Sequence, residues 1–227
     1  MSTSAVITGD LVKSRKISDS DWDITLNTIK EAFKEIKNLH LHEEDRFEIY
    51  RGDSFQAIIA DPAKALRMAI LIRAKIKGIK FERSETKSHS LSSCDARISI
   101  GIGEISKRSN KVIESTGEAF YNSGPEMDLM KKNNERLRIK SPWESINDEF
   151  VVSLQLADAI VTKWPNVQAQ LSYDYLLEKR TQKDLAEKYN KTQTAISKNF
   201  RTSSVKKIEQ LILRYESLIK TYHHGNS

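Results

Sequence analysis

The 227-residue sequence predicts an α/β body on a mixed sheet, followed by an all-α domain organised around two short helices and a tight turn. Three observations predict this fold class. Apolar runs of strand length alternate with helix-length apolar stripes as far as Ile139, the order expected of helices layered on a sheet. From Ser141 onward only helical periodicity remains. The span 178–207 holds nine basic and three acidic residues, a net +6 that equals the formal charge of the whole chain. The basic character, with a pI of about 9.2, is therefore local to one stretch. The sequence divides accordingly into domains 1–141 and 142–227.

In chain order, Ala5-Val6-Ile7-Thr8 is an apolar strand run ending in Gly9-Asp10, which puts a carboxylate at the strand's C-terminal end. A basic loop with Lys13, Arg15 and Lys16 follows. Trp22, Leu26, Ile29, Phe33 and Ile36 recur every three or four residues and give one helical stripe. Phe47–Tyr50 and Phe55–Ile59 are strand runs on either side of Arg51-Gly52-Asp53-Ser54, a hairpin with Gly-Asp in its turn. Asp61-Pro62 opens a helix with Leu66, Ala69, Ile70, Arg73 and Ile76 along it. Residues 82–94 are Ser-rich and polar, the composition of a flexible loop.

Arg97–Ile105 alternates Ile98, Ile100 and Ile102 with Ser99, Gly101 and Gly103. One face of this strand is apolar and the other nearly bare, so a ligand or another backbone can come close. A hairpin around Ser109-Asn110, a helix over about 117–132 and a strand at Leu137–Ile139 complete the body, with the helices expected on one face of the sheet. Ser141-Pro142-Trp143-Glu144 reads as a helix start with cap, Pro at the first position and Glu three residues on. Ile146, Phe150, Leu154, Ala157, Val161 and Trp164 form one amphipathic stripe that Pro165 ends; helices over 167–177 and 208–219 follow.

Between them lies the most informative stretch, Thr181 to Lys207. Thr181 and Asp184 have capping-box spacing, with Asp where Glu is usual. Leu185 and Tyr189 share a face with the small Ala186 beside them, Asn190 suits a left-handed turn, and Thr192 caps a second helix whose inner face is Ile196 and Phe200. This is a helix-turn-helix pattern. Its outer face carries Gln193, Thr194, Ser197, Lys198 and Arg201, side chains that donate to phosphates or read base edges. Lys206 and Lys207 open the next helix, where cations oppose the macrodipole and a phosphate in reach would offset that cost. From Lys188 to Lys207 there are six basic residues and no acid. Double-stranded DNA is the expected partner.

Composition excludes other classes. A lone Cys94 permits no internal disulfide and no zinc site of its own. No apolar run reaches 18 residues and the start lacks a basic-then-apolar secretory pattern, so no membrane association is expected and a cytoplasmic location is. His40, His42 and His89 lie in polar segments without metal spacing, and His223 and His224 read as tail. Lys107, Arg108 and Lys111 read as a solvated hairpin tip.

Taken in order, ITGDLVKSRK, YRGDSF, RISIGIGEI, GEAF and TQKDLAEKYNKTQTAIS resemble the SatD family of bacterial proteins, over roughly residues 3–220. The body is also similar, remotely, to class III nucleotide cyclase catalytic domains, a ferredoxin-like fold. That resemblance implies a metal-binding pair at Asp10 and Asp53, the ends of a first strand and of a Gly-Asp hairpin. It implies Mg²⁺ as cofactor, with Lys13, Arg15 and Arg51 available to neutralise nucleotide phosphates. The places that hold a catalytic Asn and Arg in cyclases are Tyr121 and Pro125 here, while Asn122 lies one step away. The expectation is a homodimeric, DNA-binding transcriptional regulator with a cyclase-like sensor or dimerisation domain. The rival expectation is an enzyme, a metal-dependent nucleotidyl cyclase or nucleotidyltransferase carried by a DNA-binding domain.

Overall fold

The computed structural model describes residues 3–40, 42, 44–50, 52–81 and 94–225. Arg51, His89 and nearly all of the Ser-rich 82–94 loop lie outside these residues, as do the side chains of His40 and His224. Five strands, β1 (Thr3–Leu11), β2 (Arg46–Tyr50), β3 (Ser54–Ile59), β4 (Ala96–Glu104) and β5 (Leu137–Lys140), form one sheet in the order β2-β3-β1-β4-β5. All neighbours are antiparallel except β4 and β5. Because β1 and β2 both run against β3, helix α1 (Asp19–His40) is a crossover between parallel strands. Helix α2 (Ala65–Lys77) plays the same part between β3 and β4, which both run against β1. Two split β-α-β units are thus interleaved, and α3 (Glu118–Asn133) adds the β4-to-β5 crossover.

The two sheet faces follow from the alternation in β4. Ile98, Ile100 and Ile102 join Ile7 and Phe55 in the main core with α1 and α2. The bare Gly101 and Gly103 receive α3, whose backbone comes so close that a Cβ at Gly101 would lie 2.1 Å from the Ala119 carbonyl. Helices therefore pack on both faces rather than one, because the glycine side of β4 admits a helix backbone. A second, small apolar cluster of Val6, Ile58, Val112 and Ala119 sits on the α3 side. It also explains why the expected 109–110 hairpin is reduced to a single bridge between Lys107 and Thr116: Val112 turns inward from a short 3-10 segment instead of continuing a strand.

Five further helices follow: α4 (Glu144–Thr162), α5 (Asn166–Glu178), α6 (Gln182–Lys188), α7 (Gln193–Ser203) and α8 (Val205–Gly225). α4 starts at Glu144, later than the Ser-Pro signal suggests. The Ser141 hydroxyl accepts from Trp143 N, and Asn147 rather than Glu144 reaches back to accept from Ser141 N at 2.8 Å. One continuous apolar core runs from β1 through α2 to α4, α5, α7 and α8, across the expected boundary at 141. α2 is covered nearly all round as a result. α8 closes onto the body, where Tyr215 donates to the Pro62 carbonyl at 2.9 Å.

A buried charge cluster lies inside this seam. Arg73, fully buried on α2, donates to both Asp95 oxygens at 3.0 and 3.1 Å and to Asp158 of α4 at 2.9 Å. Arg136 donates to Asp95 at 2.6 Å, and Lys77 lies 3.5 Å from the same carboxylate. Burial alone would raise the Asp95 pKa, yet Arg73, Lys77 and Arg136 together hold it below the usual aspartate value. Burial lowers that of Lys77. The Asp95 carbonyl also accepts from Val12 N at 2.8 Å, tying the cluster to the loop that leaves Asp10.

Candidate functional site

Asp10 is the penultimate residue of β1, paired in register with Arg97 of β4 on one side and Ser54 of β3 on the other. The pleat points all three toward the α3 face. Arg97 Nη1 donates to both Asp10 oxygens at 3.0 and 3.2 Å, and Lys131 from the last turn of α3 lies 3.4 Å from Oδ2. Asp53 sits in the adjoining β2–β3 turn, which Gly52 permits with φ of 75°. Its backbone carbonyl accepts from Leu11 N at 2.9 Å, directly after Asp10. Its carboxylate accepts from Ser14 at 2.8 Å and from Ser54 at 3.3 Å. Lys13, with φ of 58°, curls the chain into the 3-10 turn Ser14–Lys16 and so brings Ser14 over the hairpin.

The fold thus brings Asp10 and Asp53 to one corner of the sheet. Lys13 and Arg15 border it, both exposed and without an ion-pair partner among the described residues. Arg97 and Lys131 face Asp10, and Lys13 and Arg15 stand exposed on the turn that follows it, a local positive charge suited to an anionic ligand. The donors are hard oxygens, which in kind fits Mg²⁺. In number they are few: no group of three or more His, Cys, Asp or Glu gathers among the described residues. The remaining ligands would be phosphate oxygens and water.

Arg97 and Lys131 are the site residues that sequence reasoning missed. Arg97 opens the RISIGIGEI run, and only the strand order places it opposite Asp10. Lys131 carries no local signal at all. The residues at the expected catalytic places contribute nothing cationic: Tyr121 is 72% exposed and Pro125 is exposed. Asn122 is committed to structure, donating to the Ile102 carbonyl at 2.7 Å.

The second group of residues lies on α6, α7 and the start of α8. Thr181 and Asp184 form the reciprocal box, at 3.0 and 3.2 Å. Asn190 adopts φ of 48° in the turn, and Thr192 accepts from Ala195 N at 3.2 Å. Ile196 and Phe200 face inward, where the Phe200 ring meets Tyr175 edge-on, and Trp164 Nε1 donates to the Ser203 carbonyl at 2.7 Å. Gln193, Thr194, Ser197, Lys198, Arg201, Lys206 and Lys207 are all exposed. A groove lined by Gln182, Ser197, Arg201, Lys206 and Lys207 joins α7 to the first turn of α8. None of Lys198, Arg201, Lys206 and Lys207 pairs with an acid among the described residues. No helix among the described residues is long and apolar enough to cross a membrane.

Comparison with known proteins gives a family and a set of structural likenesses. No curated protein matches the sequence. A bacterial light-regulated adenylyl cyclase is similar over 61% of this chain and 75% of its own, at 14% identity and a TM-score of 0.42. The GGDEF domain of DgcB from Caulobacter crescentus, solved with c-di-GMP, is similar over 61% and 77%, at 12% identity and 0.41. The active GGEEF domain of a diguanylate cyclase from Vibrio cholerae is similar over 62% and 83%, at 12% and 0.41. The SatD family matches residues 4–216, and the chain belongs to that family.

Proposed function

We propose that this SatD chain binds a nucleoside triphosphate together with Mg²⁺ at the Asp10–Asp53 corner, as a nucleotide-cyclase-like module. The single observation that carries this reading is that the Asp53 turn is hydrogen-bonded to the end of β1 beside Asp10, with Arg97 and Lys131 already seated on the Asp10 carboxylate. Mg²⁺, when bound, would be held by Asp10 and Asp53 and would screen the triphosphate charge. Arg97 and Lys131 would turn from Asp10 to phosphate oxygens, a move between two charge-assisted contacts. Lys13 and Arg15 would gather the outer phosphate. Ser14 keeps the Asp53 carboxylate oriented.

Binding rather than turnover is the form the residues favour. A cyclase barrier is lowered by a cation placed on the charge that develops in the transition state, a contribution of about 3–4 kcal/mol for one donor. Pro125 supplies none. The test is to incubate the full chain with each nucleoside triphosphate and Mg²⁺ or Mn²⁺ and to resolve the mixture by chromatography. Nucleotide that is retained on the protein but unchanged supports the binding module. Product that forms with the wild type and vanishes in Asp53→Asn turns the reading toward a nucleotidyl transferase. Neither retention nor product sinks both.

A second reading rests on a separate observation. Lys198, Arg201, Lys206 and Lys207, without an ion-pair partner among the described residues and with Gln193, Thr194 and Ser197 exposed beside them, favour docking of α7 in the major groove of duplex DNA as the second helix of a helix-turn-helix. Two copies would then pair to span two half-sites, and the protein would act as a regulator. In an electrophoretic shift assay, Lys198→Ala and Arg201→Ala are each expected to weaken DNA binding by about 1–3 kcal/mol. Shifts unchanged by both would remove the DNA reading and leave the nucleotide reading untouched.

A further inference from the structure

Away from both regions, a cleft of about 470 Å³ opens between α1, the end of α2, α5 and the end of α6. Two like-built triads border it. Tyr173 donates its hydroxyl proton to Glu35 at 2.6 Å, Glu35 pairs with Lys75 at 2.9 Å, and that ammonium lies 4.7 Å from the Tyr173 ring centre. Tyr189 donates to Asp174 at 2.9 Å, Asp174 pairs with Lys188 at 2.5 Å, and Lys188 lies 5.8 Å from the Tyr189 ring centre. Each triad is internally neutral. Lys80 stands at the rim, exposed and without a partner among the described residues, so the cleft keeps one positive charge.

The rest of the lining mixes Ile24, Gly78 and Ile79 with the polar Thr28 and Gln170. Ile24 of α1 is 49% exposed and borders the cleft with Ile79 and the two tyrosine rings. A volume of this size suits a small molecule of mononucleotide dimensions. Rings and isoleucines would take a flat apolar body, and the ammonium groups of Lys80 and Lys188, on flexible stems, would meet the several oxygens and higher charge of a phosphate as converging point charges. We propose that this cleft is a second ligand site, for a small anion that carries an aromatic ring and a phosphate.

The position gives such a ligand leverage. Lys188 ends α6 and Tyr189 begins the turn into α7, whereas Lys75 and Lys80 belong to the α/β body. Two α5 side chains already clamp that body: Gln170 donates to the Gly78 carbonyl at 2.8 Å and Asn166 to the Ile79 carbonyl. A phosphate drawn to Lys80 and Lys188 competes with Asp174 for Lys188, and so loosens or resets the contact that holds α6 to α5.

The inference is independent of the Asp10–Asp53 reading, and its test keeps them apart. Phenyl phosphate and adenosine monophosphate are titrated into the full chain in the presence of a chelator, so that no divalent cation contributes, with ligand-detected NMR and calorimetry as readouts. Saturable binding of either probe is expected, weakened about tenfold or more in Lys80→Glu and unchanged in Asp53→Asn, with the melting temperature of Lys80→Glu at the wild-type value. Binding of both probes alike points to ring-plus-phosphate recognition; binding of the nucleotide alone supports the site and narrows its ligand. Three results overturn the proposal: no saturation by either probe at millimolar concentration, wild-type affinity in both Lys80→Glu and Lys188→Gln, or a loss confined to Asp53→Asn.

Discussion

At the scale of single residues, the buried cluster around Arg73 is the most consequential feature that periodicity hides. Arg73 falls on the apolar stripe of α2, and its place there conceals a guanidinium enclosed by Asp95 and Asp158. Removing one partner leaves an uncompensated buried charge, so Asp95→Asn is expected to cost about 3–5 kcal/mol in urea unfolding at neutral pH. The pH dependence has a definite sign. The Asp95 carboxyl titrates lower in the folded protein than its usual 3.8, so its contribution is complete above that pH. It is lost as pH falls through the depressed folded value. The wild type should therefore shed stability steeply in acid below about pH 4, and the Asn variant should have a shallower acid limb. Equal acid limbs would contradict the assignment. Arg97 teaches the same lesson: its identity was readable, its role was not, because that role depends on which strand lies beside β1.

At the scale of elements, much was legible. The strand runs, the Gly-Asp hairpin, the α4 stripe and the caps of α6 and α7 all follow from local chemistry, and the structure has them where Ile146, Phe150, Thr181 and Thr192 indicate. What was not legible depends on partners distant in sequence. The glycine face of β4 signals a close approach but does not say of what; here it is α3. Adding a methyl group at Gly101 would force α3 off the sheet, since the obstacle is backbone that cannot rotate away. Gly101→Ala is expected to destabilise by about 1–3 kcal/mol in thermal or urea unfolding. Because α3 also carries Lys131, the same variant should bind nucleotide more weakly than its stability loss alone explains. A variant as stable as wild type would show that α3 is not packed as described.

At the scale of the whole molecule, the body and the C-terminal helices share one core. Periodicity divides the sequence at Ser141, but α5 and α8 complete the cover that α1 and the sheet begin on α2, and α4 adds Asp158 to the Asp95 carboxylate already on Arg73. A sequence read in windows finds the two patterns and cannot find the seam between them. The seam touches both proposed sites: Asp95 ties the loop after Asp10 to the helical part through Val12, and the cleft at Lys80 and Lys188 spans the same joint. The central claim, that Asp10 and Asp53 form a nucleotide and metal corner, is tested most directly by calorimetric titration of a nucleoside triphosphate into the full chain with Mg²⁺ present. The expected result is a saturable heat that is lost on chelation and in Asp53→Asn, with that variant still folded. No heat for any of the four triphosphates, or the same heat in Asp53→Asn, would contradict it.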